Sequence, residues 1–71
     1  MLPLTMAQQG QPLTICRITG RDEVRQHLAR LGFVAQERIT VISGFGGSLI
    51  LQVKDSRIAL DRGMANRILV D

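Results

Sequence analysis

Only one stretch of this chain has helical periodicity, and it lies between segments that alternate like strands. In Val24-Arg25-Gln26-His27-Leu28-Ala29-Arg30-Leu31-Gly32-Phe33, the apolar residues Val24, Leu28 and Leu31 fall at i, i+4 and i+7. That spacing puts them on one face of a helix. Arg25, Gln26, Ala29 and Arg30 take the remaining, mostly polar, positions. Asp22 and Glu23 fall in the first turn, where negative charge suits the unpaired N–H groups. Gly32 sits where a helix ends, because the residue after the cap often needs a positive φ that glycine adopts at little cost. A single short helix with a fixed stop, set among strands, restricts the chain to small, mainly β architectures.

The strands follow from alternation and punctuation. Residues 3–10 read as a lead-in, with Thr5 a candidate cap for one helical turn ending at Gly10. Residues 12–19 form the first strand, started by Pro12, and Ile18 breaks its alternation, which predicts a bulge near Cys16-Arg17. Residues 38–43 form the second strand and 48–53 the third, with Gly44-Phe45-Gly46-Gly47 between them as a turn. Lys54-Asp55-Ser56 is a tight turn leading to a fourth strand at 57–60. Asp61 caps one helical turn over 62–65, and 66–70 is the fifth strand. Five short strands with one helix after the first fit a small, partly closed barrel, which leaves few sheet edges open. A ferredoxin-like sandwich would need a second full helix.

Seventy-one residues imply one domain, 1–71. A chain of that length buries only about 60% of its unfolded surface. Phe33 and Phe45 are the only aromatics, so the core must be aliphatic. Cys16 is the only cysteine, which excludes an internal disulfide framework and points to a reducing compartment, the cytoplasm. Residues 1–10 carry no Lys or Arg and no continuous apolar run, unlike a signal peptide, and no segment approaches the roughly 18 apolar residues of a membrane span. The net charge is +3, but the basic residues are spread evenly along the chain, as on a solvated surface.

Catalytic chemistry finds little to work with. His27 and Cys16 each stand alone, no serine and acid flank His27 at recognisable spacing, and Asp22-Glu23 diverge around the helix. An enzyme is not expected. Glu23 and His27 lie at i, i+4 and are weak candidates for a metal ion, against the plainer reading of a surface ion pair. Cys16 reads as a small apolar strand residue. Gly44–Ser48 lacks the Gly-Lys-Ser/Thr ending of a phosphate loop and has no helix after it. Phe45 within that loop is either folded back onto the barrel or offered to a partner. Two phenylalanines make a poor stacking platform for nucleic acid, so no nucleic acid partner is expected.

Taken together, Leu4 and Gly10-Gln11, then Arg25-x-x-Leu28-x-x-Leu31-Gly32-Phe33, Ile39-x-Val41, Gly46-Gly47-x-Leu49, Ile58-Ala59-Leu60, Ala65 and Ile68-x-Val70 resemble the FeoA family, ferrous iron transport protein A. The resemblance spans nearly the whole chain. It implies an SH3-like, partly open barrel of about five strands with one α-helix inserted after the first strand. It implies no cofactor and a cytoplasmic accessory role beside FeoB, the membrane ferrous iron transporter with a G-protein domain, so that membrane contact comes only through that partner. Candidate partner-binding residues are Arg21, Arg25 and Arg30 on the helix and Phe45 on the loop, since arginine and aromatics anchor interfaces. Weak self-association is compatible with it. Related domains end the iron-dependent repressors, so a metal-sensing or metal-binding regulatory domain is the alternative. The family usually has Pro-Gly after Leu-Gly-Phe. Here those positions are Ala35-Gln36, and glutamine resists the positive φ that glycine accepts.

Overall fold

The computed structural model describes residues 1–71. Its strands are β1 (Leu2–Pro3), β2 (Pro12–Ile18), β3 (Arg38–Phe45), β4 (Ser48–Val53), β5 (Ser56–Asp61) and β6 (Ile68–Val70). They form one sheet in the order β1-β6-β2-β3-β4-β5, with every neighbouring pair antiparallel. Helix α1 (Asp22–Arg30) follows β2, a 3-10 turn (Leu4–Met6) follows β1, and the one-turn α2 (Arg62–Ala65) joins β5 to β6. The sheet curls until its extents are nearly equal, 28 × 24 × 23 Å, while β1 and β5 remain its two ends. This is the mainly β, partly open barrel that the strand pattern predicts.

The core holds thirteen buried residues, all apolar, and Phe33 is its only aromatic. Alternation places them there. In β4, Leu49, Leu51 and Val53 are buried between half-exposed neighbours, and across from them lie Ile39 and Val41 on β3 and Leu60 on β5.

Two bulges break the ladder. Between Ile15↔Val70 and Arg17↔Leu69 the register shifts by one, leaving Cys16 as the extra residue at the predicted place. A second shift, between Val41↔Leu51 and Ser43↔Ile50, makes Ile42 extra. This one decides where the end of β3 points. Without it, the side chains of Ile39, Val41, Ser43 and Phe45 would share the inner face, because the strand period is two. With it, Gly44 pairs with buried Leu49, and Phe45 pairs with Ser48 on the outer face.

The end of α1 is built as the sequence indicates. Gly32 has φ +106°, its N–H donates to Ala29 O at 3.0 Å, and the Phe33 N–H donates to Leu28 O at 3.0 Å. These are the paired bonds of a Schellman stop, and its usual apolar contact is supplied by Leu28 and Phe33, both fully buried. Val24 and Leu31 are half-buried and pack against the core from its rim.

Several expectations need correction. There are six strands because Leu2-Pro3 pairs with Val70-Leu69, a contact too short to leave a periodic signal. Thr5 caps nothing. The turn starts from Pro3, whose φ of −64° already suits it, and buried Leu4 anchors it. Instead, Thr5 Oγ1 donates to Asn66 Oδ1 at 3.0 Å and ties this turn to α2. β6 starts at Ile68, because the Asn66 and Arg67 N–H groups donate back to Arg62 O and Met64 O and close α2. Asp61 caps α2 as expected, its Oδ1 accepting from Met64 N at 2.8 Å.

Candidate functional site

The candidate partner-binding residues lie on two elements, α1 and the end of β3. Arg21, Arg25 and Arg30 are all exposed on α1. Arg21 is the N-cap residue and contributes no side-chain cap bond. Arg25 is paired with Asp22 one turn back, so part of its charge is already matched. Arg30 lies in the last turn, where a cation complements the helix dipole. Phe45 lies elsewhere. Gly32, just past α1, approaches Val53 at one end of the β3–β4 ribbon, while Phe45 closes the other end. Five steps along β4 separate these ends by roughly 17 Å. Arg30, in the last turn of α1 next to Gly32, and Phe45 therefore lie toward opposite ends of this ribbon.

Phe45 is 81% exposed, the largest value among the bulky apolar residues. It is the last residue of β3, and only Gly46-Gly47 make the turn, with Gly46 at φ +61°. Its orientation follows from the Ile42 bulge, which periodicity alone does not reveal. Behind it, Gly44 leaves room for the Arg62 guanidinium, which lies 3.1 Å from where a Cβ would stand. The Arg62 N–H donates to Gly47 O at 2.9 Å, so α2 braces the hairpin that carries Phe45.

Glu23 and His27 are exposed on α1, and no group of three or more His, Cys, Asp or Glu side chains converges anywhere in the chain. A metal ion held by Glu23 and His27 would take its remaining ligands from water or another molecule. Cys16 is half-exposed rather than buried, because the bulge lifts it out of the alternation. The neighbouring Asp71 carboxylate holds its thiol pKa above the ordinary value, and the thiol itself donates to Thr14 O. The surface holds no enclosed pocket.

The loop before β3 shows how the family turn survives without Pro-Gly. The Glu37 N–H donates to Val34 O at 3.2 Å, closing a four-residue turn with Ala35 and Gln36 at its centre. Gln36 adopts φ +76° despite its side chain. The chain is held on both sides, since Gln36 N donates to Ile15 O at 2.8 Å and Ile15 N donates to Glu37 O at 2.9 Å. The expected resistance of glutamine is overcome by this anchoring to β2.

A curled antiparallel sheet with a helix after its first long strand and a one-turn helix before its last defines an SH3-like barrel. More particularly, the chain belongs to the FeoA domain family, which matches residues 2–71, and is thus a ferrous iron transport accessory domain. It is 31% identical over 71 residues to the Fe(2+) transport protein A assigned in Methanocaldococcus jannaschii, covering 100% of this chain and 87% of that protein. A crystal structure of the iron uptake regulatory protein FeoA superposes with TM-score 0.89 at 27% identity, over 97% of this chain and 93% of the other. The zinc complex of Stenotrophomonas maltophilia FeoA, described as a procaryotic SH3 domain protein, gives TM-score 0.86 at 25% identity, over 100% and 91%. A manganese-dependent transcriptional repressor shares the fold at TM-score 0.83 and 20% identity, over 93% of this chain and 38% of that one. At that identity the likeness concerns the fold alone. No helix is long and apolar enough to cross a membrane.

Proposed function

We propose that this chain is a cytoplasmic protein-interaction module that binds the G-protein part of an FeoB-like ferrous iron transporter and modulates iron uptake. The observation that carries this reading is Phe45, an aromatic 81% exposed at the end of a braced hairpin and turned outward by a bulge. Leaving a phenylalanine in water forgoes roughly 1.5–3 kcal/mol of burial, which a partner recovers on binding. A barrel that held Phe45 only for its own stability would turn it inward. The exposed arginines of α1 supply a second, basic contact, with Arg21 and Arg30 free of ion pairs within the chain. The Stenotrophomonas relative, suggested to act as a ferrous iron transport activating factor, supports an accessory role of this kind.

The test is a pull-down with the transporter's cytoplasmic domain, at micromolar concentrations. Wild type is retained, Phe45→Ala loses most of the retention, and Arg25→Glu or Arg30→Glu weakens it in a salt-dependent way. Retention of all variants equally, or of none including wild type, contradicts the proposal.

A further inference from the structure

The sheet has two ends, and they are unequally protected. β1 is two residues long and contains Pro3. β5 runs for six residues, pairs with β4 without a bulge, contains no proline, and has no strand on its other side. The two-residue turn at Lys54-Asp55 makes Val53 and Ser56 the closing pair. Hydrogen-bonded pairs alternate from there, and the bond from Arg62 N to Gly47 O continues the same phase. Ser56, Ile58 and Leu60 therefore direct their N–H and C=O groups to β4. Arg57 and Ala59 direct theirs to the open side, as does the N–H of Asp61, whose C=O, at the N-cap, accepts the first bond of α2. No backbone group of the chain reaches the Arg57 and Ala59 groups or the Asp61 N–H, and all three residues are exposed.

An open edge alone names no occupant, but the charges on this one do. When β5 is laid antiparallel to β5 of a second copy with the two-fold axis at Ala59, Arg57 of each copy falls opposite Asp61 of the other. The small Ala59 faces itself at the axis. Moving the axis to Arg57 or to Asp61 sets like charges opposite each other, which is unfavourable between directly paired residues. The charged atoms are available for this pairing. The Arg57 Nε donates to Gln52 Oε1 at 3.0 Å, which leaves its terminal Nη groups free. Asp61 engages Met64 N through Oδ1 and keeps Oδ2.

We infer that β5 is a self-pairing edge, through which two copies of this chain join into one continuous antiparallel sheet. This inference stands independently of the iron-transport reading. The joint supplies roughly four backbone hydrogen bonds and two Arg–Asp pairs. It is far smaller than a standard interface, so the dimer is weak, with a dissociation constant on the order of 0.1–1 mM. Higher salt loosens it further.

Sedimentation equilibrium together with 15N–1H spectra over a dilution series on the order of 0.02–2 mM tests the inference. Wild type dimerises at the top of the range, and the dilution shifts centre on the amides of Arg57, Ala59 and Asp61. Arg57→Asp, which sets like charges opposite each other, weakens association about tenfold or more. Ala59→Pro abolishes association, because it removes an edge donor without touching the β4 ladder. Asp61→Asn keeps the α2 cap and removes only the charge, so it weakens the dimer several-fold. The dispersion of each variant's spectrum confirms that it is folded. A monomer at every concentration, shifts centred on another face such as the Phe45 hairpin, or a folded Arg57→Asp variant that dimerises like wild type each overturns the inference.

Discussion

Replacing Gln36 with glycine should stabilise this protein, although the substitution removes a whole side chain. Gln36 sits at the third position of the Val34–Glu37 turn with φ +76°. A side chain in that left-handed region costs roughly 1 kcal/mol or slightly more. Glycine removes that strain but gives back about 0.5 kcal/mol through the larger entropy of the unfolded chain. The net gain is about 0.5 kcal/mol, which for a domain of this size is ~2–4 °C in Tm. Ala35 precedes it at the position where such turns favour proline, and its N–H makes no backbone hydrogen bond. Ala35→Pro therefore adds about 0.4–1 kcal/mol by restricting the unfolded chain. Thermal melts followed by circular dichroism, with urea titrations as a second axis, read both effects. Gln36→Val is the control. A β-branched residue at positive φ is more strained than glutamine, so this variant melts lower than wild type. If Gln36→Gly lowers Tm while Gln36→Val leaves it unchanged, the residue is not left-handed and the reasoning fails.

Three further outcomes follow from the core and the bulges. Leu28 is fully buried at the contact between α1 and the sheet, so Leu28→Ala costs about 2–4 kcal/mol, a large fraction of the roughly 4–10 kcal/mol expected for a chain of this length; an intact cooperative melt near the wild-type Tm would contradict this. Gly32→Ala meets only ordinary contacts with Val53, 3.7 Å away, so its penalty of roughly 1–2 kcal/mol comes from holding alanine at φ +106° and should appear as a lower urea midpoint. The Asp71 carboxylate raises the Cys16 thiol pKa, so the folded state holds that proton more tightly than the unfolded chain. The associated stability is present below the unfolded thiol's pKa and is lost as pH rises through the folded one. The rate of iodoacetamide labelling against pH should show a midpoint above that of the urea-unfolded chain, and Asp71→Asn should lower it.

The parts of the fold written in strong local signals were legible from the sequence. Val24, Leu28 and Leu31 with Gly32 mark α1 and its stop, Asp61 marks α2, and the broken alternation at Ile18 marks the Cys16 bulge. The missed features depend on tertiary context. β1 is too short for any period, and it exists because Val70 and Leu69 offer an edge. The Ile42 bulge leaves no trace in Arg38-Ile-Thr-Val-Ile-Ser, because isoleucine suits either face of a strand. Yet that bulge sends Phe45 outward, so the sequence posed the question of Phe45 without answering it. Likewise, nothing local warns that Gln36 will accept a positive φ; the bonds that force it come from Ile15, far away in the chain.

The claim that Phe45 is a partner contact is tested most directly by titrating the 15N-labelled chain with the cytoplasmic domain of the ferrous iron transporter and following its amide resonances. The account predicts saturable shifts and broadening centred on Phe45, Gly46, Gly47 and Ser48, extending to the exposed arginines of α1, and their disappearance in Phe45→Ala. Unchanged spectra at saturating partner, or saturable shifts that leave the Phe45 hairpin untouched, would contradict it.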